Sequence, residues 1–113
     1  MTQTSTDHHD DVAFVGGGNM TRAIVLGMLH NGYPAEMIRI SEPDASRRDT
    51  LSAEMTGVSI VESNGDAVTG AETVVLAVKP QVLPTVCRDI AAVVQKQQPL
   101  IISIAAGTRG ADI

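Results

Sequence analysis

The chain has 113 residues, room for one domain and not two. Hydrophobic residues make up 43% and charged residues 19%, enough apolar material for a core and too much for a disordered chain. A single Phe, a single Tyr and no Trp exclude a surface that stacks bases on aromatic rings, and a formal charge of −5 opposes attraction to nucleic acid or to an anionic membrane.

Residues 1–11, MTQTSTDHHDD, lack periodicity and an apolar anchor and read as a flexible leader, with the domain spanning residues 12–113. Asp7, Asp10 and Asp11 carry much of the acidic excess; from Val12 onward 8 basic residues face 10 acidic ones. His8 and His9 have no third ligand near them, so no metal is expected. The leader also lacks the basic start and apolar run of a secretory signal, and no window approaches the ~18 apolar residues of a membrane span. Cys87 stands alone and cannot close an internal disulfide, in keeping with a cytoplasmic setting.

Short apolar runs then alternate with longer mixed segments, the pattern of strands and helices in a parallel sheet. The runs are Val12 to Val15, Ile38 to Ser41, Val58 to Val61, Thr73 to Val78 and Leu100 to Ile104. The run from Thr73 to Val78 is almost unbroken and reads as the central strand, covered on both faces. Between the runs, a helix is predicted from Asn19 to His30, stopped by Asn31-Gly32. A second is capped by Asp44 and runs to about Met55, a short turn spans Asp66 to Val68, and a last helix opens at Pro84 and reaches about Gln95. In that helix Leu83, Val86, Cys87, Ile90 and Val94 recur at helical spacing, so Cys87 reads as a core residue and not a nucleophile.

The segment Val12-Ala13-Phe14-Val15-Gly16-Gly17-Gly18-Asn19-Met20-Thr21 runs from an apolar strand through glycines into a helix. A strand that turns sharply into a helix needs backbone angles that glycine adopts cheaply, and the missing side chains let a diphosphate approach the main chain. Amides at the helix start then face the anion. The second strand ends in Ser41-Glu42, 24 residues beyond Gly18, where an acid can accept from ribose hydroxyls. These features predict a Rossmann-like doubly wound parallel α/β sheet of about five strands in the order 3-2-1-4-5, binding a dinucleotide. Ala23 and Gly27, one turn apart, read as the close contact of the first helix with the sheet. Thr21 stands where the fingerprint usually has Gly or Ala, and its branch should hold the helix slightly away and weaken the packing.

Four blocks carry a family resemblance: Phe14 to Met20, Ser41-Glu42-Pro43, Val75 to Gln81 with its Val-Lys-Pro-Gln, and Ile102 to Gly107 with its Ser-Ile-Ala-Ala-Gly. Together and in this order, they closely resemble pyrroline-5-carboxylate reductase. The resemblance implies NADPH- or NADH-dependent reduction of a small cyclic imine, pyrroline-5-carboxylate, to L-proline. It implies that Gly16, Gly17, Gly18, Asn19 and Met20 hold the diphosphate, that Ser41, Glu42 and Pro43 meet the adenosine ribose or its phosphate, and that Asn64 lies near the adenosine. Val78, Lys79 and Pro80, with Ala105, Ala106 and Gly107, would line the path to the nicotinamide.

Glu42 favours NADH on charge, whereas Arg47 and Arg48 on the following helix can approach a 2′-phosphate or form a solvated face, so the preference between cofactors stays open. Family members run to more than twice this length, and the resemblance implies a homo-oligomeric enzyme whose helical domain and catalytic groups lie in the portion not represented here. The 113-residue polypeptide is accordingly expected to bind cofactor weakly and to lack turnover. A stand-alone nucleotide-binding module and an F420-dependent NADP oxidoreductase are the alternatives.

Overall fold

A computed structural model describes residues 10–104. The histidines of the leader and the segment Ala105, Ala106 and Gly107 lie outside the described residues. Five parallel strands form one sheet: β1 Val12–Val15, β2 Ile38–Ser41, β3 Ser59–Val61, β4 Thr73–Leu76 and β5 Leu100–Ser103, in the spatial order β3-β2-β1-β4-β5. Helices α1 Asn19–His30, α2 Ala45–Glu54, α3 Asn64–Val68 and α4 Leu83–Gln97 provide the crossovers, and a 3₁₀ turn at Ala35–Met37 leads into β2. The expected strand order is therefore the observed one. The middle of the sheet is β1, with β4 beside it as an interior strand.

Register explains why β1 is apolar throughout. Phe14 lies opposite Ile40 on one side and Val75 on the other, and these side chains meet Val25 of α1 and Leu51 and Met55 of the α2 segment on one face. Ala13 and Val15 point to the opposite face, where Val74 and Leu76 pack with Ala67 and Val68 of α3 and Val86 and Ile90 of α4. A strand covered on both faces cannot afford a polar position, and all four β1 residues are buried.

Helix ends follow local chemistry. Asp44 caps α2 by accepting from the Arg47 amide at 2.8 Å, and Ser63 caps α3 by accepting from the Asp66 amide at 3.3 Å. That cap extends the predicted short turn into a helix beginning at Asn64. Helix α1 ends at Asn31, whose side chain donates to the Gly27 carbonyl at 2.8 Å; the positive φ falls on Gly32 and not on Asn31. Helix α4 begins one residue before Pro84 and continues to Gln97, where Gln98 takes the left-handed conformation ahead of Pro99.

Three expectations about helix faces are corrected. Ala23 and Gly27 are exposed, and a side chain at Gly27 would meet nothing within 4 Å; the sheet-facing pair of α1 is Thr21 and Val25. Thr21 does not loosen the helix by its branch. It is fully buried, and its hydroxyl donates to the Gly16 carbonyl at 2.6 Å. Cys87 is exposed and not a core residue, because α4 turns Val86 and Ile90 to the sheet and carries Cys87 round to its flank.

Elsewhere, side chains tie distant elements through carbonyls left over at helix ends. Arg39 of β2 donates to the carbonyls of Ala67 and Thr69 at 2.8 and 2.9 Å, closing the end of α3. Gln97 bridges the same turn, accepting from the Gly70 amide at 2.7 Å and donating to the Val68 and Ala71 carbonyls. The Tyr33 hydroxyl donates to the Asp10 carbonyl. Burial of the phenol, with Asp10, Asp11 and Glu72 nearby, pushes its pKa up.

Candidate dinucleotide crevice

Because β1 feeds β2 on one side while β4 lies on its other side, the chain leaves the sheet in opposite directions on either side of the β1–β4 boundary. A crevice opens there, at the carboxyl ends of the strands. The glycine turn forms its floor. Gly16 has φ 107°, and a β-carbon on it would sit 2.4 Å from the Ala77 carbonyl oxygen, so both conformation and space demand glycine. Its amide donates to the Ser41 carbonyl at 3.0 Å while Thr21 holds its carbonyl, so the turn is fixed from both sides.

Gly17 is buried, its amide donating to Glu42 Oε1 at 2.9 Å and its carbonyl accepting from Arg47 Nε at 2.7 Å. Gly18 differs from both. It is exposed, and a β-carbon there would meet nothing within 4 Å. It caps α1 without a side-chain bond, and among the described residues no acceptor takes the amides of Gly18, Asn19 or Met20. Donors at the start of a 12-residue helix, facing open space beside a residue with no side chain, suit an anion with several oxygens.

The second wall comes from the ends of β2 and β3. Ser41 is fully buried; its hydroxyl donates to Asn64 Oδ1 at 2.7 Å, so it braces Asn64 from below and does not face the crevice. Asn64 Nδ2 in turn donates to Asp89 Oδ2 of α4 at 3.3 Å. Pro43, Asn64, Asp66 and Asp89 border a polar cavity of about 600 Å³. Beyond β4, Val78 is partly buried, its Cγ1 approaching the space above Gly16. Lys79 and Pro80 are exposed in a turn whose carbonyls accept from the Val82 and Leu83 amides.

The structure thus gathers Gly16 to Met20, Glu42, Pro43, Asn64 and Val78 to Pro80 along one strand-end rim, with Ser41 beneath it. Sequence reasoning missed the Thr21 hydroxyl and Asp89. Neither has a local signal, although a hydroxyl in place of the usual third small residue was a departure that a hydrogen bond could explain. No group of three metal-ligating side chains occurs among the described residues, and no helix among them is long and apolar enough to cross a membrane.

Strand order, glycine turn and open helix start together define a Rossmann-like α/β domain. The chain belongs to the family described as NADP oxidoreductase, coenzyme F420-dependent, whose model matches residues 11–107, and this is a family of NAD(P)-dependent oxidoreductases. It is 46% identical over 100 residues to the pyrroline-5-carboxylate reductase of Pasteurella multocida, a match covering 85% of this chain and 35% of that protein. Among solved structures it is similar to a pyrroline-5-carboxylate reductase from Coxiella burnetii, with a TM-score of 0.82 and 33% identity over 88% of this chain and 37% of that one. An imine reductase from Myxococcus stipitatus in complex with NAD+ shares the fold, with a TM-score of 0.72 and 20% identity over 88% of this chain and 33% of that one. The chain spans about a third of the length of the curated relatives it matches.

Proposed function

We propose that residues 12–113 form the cofactor-binding unit of a pyrroline-5-carboxylate reductase, which reduces a cyclic imine to L-proline with NADPH or NADH. The observation that carries this reading is the set of amides at Gly18, Asn19 and Met20, open to an anion beside a glycine that no neighbour crowds. The similarity to reductases of that name, at 46% identity, supplies the substrate class. Gly16 and Gly17 shape the turn, Gly18 to Met20 hold the diphosphate, and Glu42, Pro43 and Asn64 flank the adenosine with Ser41 beneath. Val78, Lys79 and Pro80 border the nicotinamide end.

When bound, the nicotinamide supplies hydride to the imine carbon, while a proton reaches the ring nitrogen and the cofactor leaves oxidised. This chain's residues fix the distance and orientation of that donor; the imine pocket and the proton source belong to the further length present in the relatives. A homo-oligomeric, cytoplasmic enzyme is the setting that accords with this reading.

Titration of the chain with NADPH and NADH tests it, paired with Gly18→Val. The variant should keep its circular dichroism spectrum and lose at least about tenfold in affinity, as a side chain replaces the diphosphate's approach. Unchanged affinity in Gly18→Val would place the nucleotide elsewhere and sink the proposal. The family description favours a second reading, reduction of NADP by reduced F420. Hydride transfer from that donor by the whole protein, without proline formation from the imine, would select it.

A further inference from the structure

We propose that Arg47 is a positioning residue that aims the Gly18 amide into the crevice, by locking the orientation of the peptide group between Gly17 and Gly18. The inference rests on the dinucleotide reading above and names the side chain that keeps one of its anion donors in place. A peptide group is planar and trans, so its carbonyl and its N–H point in opposite directions. Whatever holds a carbonyl of the glycine turn therefore decides where the following amide points.

The peptide groups on either side of that one are fixed by other means. The Val15 carbonyl accepts from the Ala77 amide at 2.9 Å, and the Gly16 amide donates to the Ser41 carbonyl at 3.0 Å. In the next group the Gly16 carbonyl accepts from the Thr21 hydroxyl at 2.6 Å and the Gly17 amide donates to Glu42 Oε1 at 2.9 Å. Past Gly18, the Gly18 carbonyl accepts from the Arg22 amide at 3.0 Å as α1 begins. The group between Gly17 and Gly18 differs from all of these. Among the described residues its carbonyl has one partner, Arg47 Nε at 2.7 Å, and its N–H is one of the amides left open to an anion.

Both residues flanking that group are glycines, so turning its plane over meets little steric resistance. The rotation carries φ of Gly18 from −78° to about +100°, a region that glycine enters freely and residues with a β-carbon avoid. A carbonyl then faces the anion where an N–H stood, and attraction becomes repulsion. Arg47 opposes this with a charge-assisted bond to the Gly17 carbonyl, and a cation there also polarises the group and strengthens its N–H as a donor. The same guanidinium donates through Nη2 to Asn19 Oδ1 at 3.3 Å, tying it to the first residue of α1. Arg47 itself sits in the first turn of α2, where its amide is held by the Asp44 cap. Arg48 beside it bonds the carbonyls of Glu42 and Pro43 instead, at 3.0 and 2.9 Å, and serves as a control of equal charge.

The experiment measures Kd values for NADH and NADPH in Arg47→Ala, Arg47→Lys and Arg48→Ala, each alone and combined with Gly18→Ala. Arg47→Ala should weaken both nucleotides alike by at least about tenfold, and Arg47→Lys, whose ammonium still donates to a carbonyl, should recover most of that loss. Gly18→Ala weakens binding on its own account, but its β-carbon disfavours the turned-over plane, so in that background Arg47→Ala should cost under about threefold. Arg48→Ala should cost the same in both backgrounds. Direct contact of Arg47 with the nucleotide gives the full loss whatever residue 18 carries, so additive losses overturn the proposal, as does a shift in the ratio of NADPH to NADH affinity. Without nucleotide, the NMR resonance of the residue-18 amide should be single in the wild type, doubled or exchange-broadened in Arg47→Ala, and single again when Gly18→Ala is added. A single sharp resonance in Arg47→Ala overturns the lock. Failure of the wild type to bind either nucleotide overturns the dinucleotide reading itself, and the nucleotide-free spectrum then decides the lock alone.

Discussion

The sheet closes to different degrees across its width: both faces are sealed around β1, whereas β5 is exposed at all four positions. On the face that carries Phe14, the side chains of Phe14, Ile38, Ile40, Leu51 and Met55 are each 1% exposed or less. The other face is built around Ala13, Ala67, Ala71 and Val74, and toward its β5 side it opens into an apolar groove of about 260 Å³ between α4 and the sheet, bordered by Leu76, Cys87, Ile90, Val94 and Ile101. The edge strand itself is exposed on both faces, with Leu100 at 62% and Ile102 at 42% on the Phe14 face and Ile101 at 39% on the other. The successive crossovers from β1 to β3 seal their own core, whereas β5 has one neighbour in the sheet and is exposed at all four positions. The crevice opens over β1 and β4, two strands of the sealed part.

The sharpest way to break this comparison is to cut one side chain from each region. Phe14→Ala removes a fully buried ring and should cost about 3–5 kcal/mol in urea unfolding, enough to unfold a small domain. Leu100→Ala, at an edge position 62% exposed, should cost under about 1 kcal/mol, since little of the removed surface is taken from water by folding. Equal losses would mean that the β5 side is as tightly closed as the other. The glycines allow the same contrast inside the site. Gly16→Ala should cost about 1–3 kcal/mol from its left-handed backbone alone, and more from the clash with Ala77. Gly18→Ala should cost about 0.5–1 kcal/mol, because alanine caps a helix less well than glycine, while lowering nucleotide affinity. Next in size, Thr21→Val keeps the shape of the buried side chain and loses its bond to the Gly16 carbonyl; thermal or urea unfolding should show a loss of about 1–2 kcal/mol.

Legibility in the sequence divides along a related line. Features written over a few neighbouring residues were readable: the β-branched run of β4, the Asp44 cap and the strand–glycine–helix junction all carry their cause within one turn of chain. The strand order followed from the alternation of strand and helix with the glycine turn at the first crossover. Helix faces were less legible where small and apolar residues crowd together. In α4, Val86 and Cys87 are adjacent, and only the position of the sheet decides which of them is buried. In α1 the small pair Ala23 and Gly27 looked like the contact face, but the pair Thr21 and Val25 is the one that faces β1. Least legible were contacts between loops: Gly17 with Glu42 and Arg47, or Asn64 with Asp89, join residues 25 or more apart whose meeting depends on the folded sheet. The candidate rim was therefore visible as a set of residues, while the division of labour between Glu42 and Arg47 was not.

The smallest expected effect concerns the seam between α1 and α2 on the sealed face. Arg22 donates to both carboxylate oxygens of Glu54, at 2.7 and 3.0 Å, and this bond, with the attraction of opposite charge, holds the Glu54 carboxyl below its ordinary value of 4.5 and the Arg22 guanidinium above its own. A carboxyl whose folded pKa is lowered contributes stability that is present above its unfolded pKa and is lost as pH falls through the lower folded value. The melting temperature of Glu54→Gln should therefore lie slightly below that of the wild type at neutral pH and converge with it in acid. Both side chains are substantially exposed, at 41% and 33%, so the gap should shrink further in 0.5 M salt. A gap that persisted in acid and in salt would show that Glu54 contributes through packing between the helices and not through its charge.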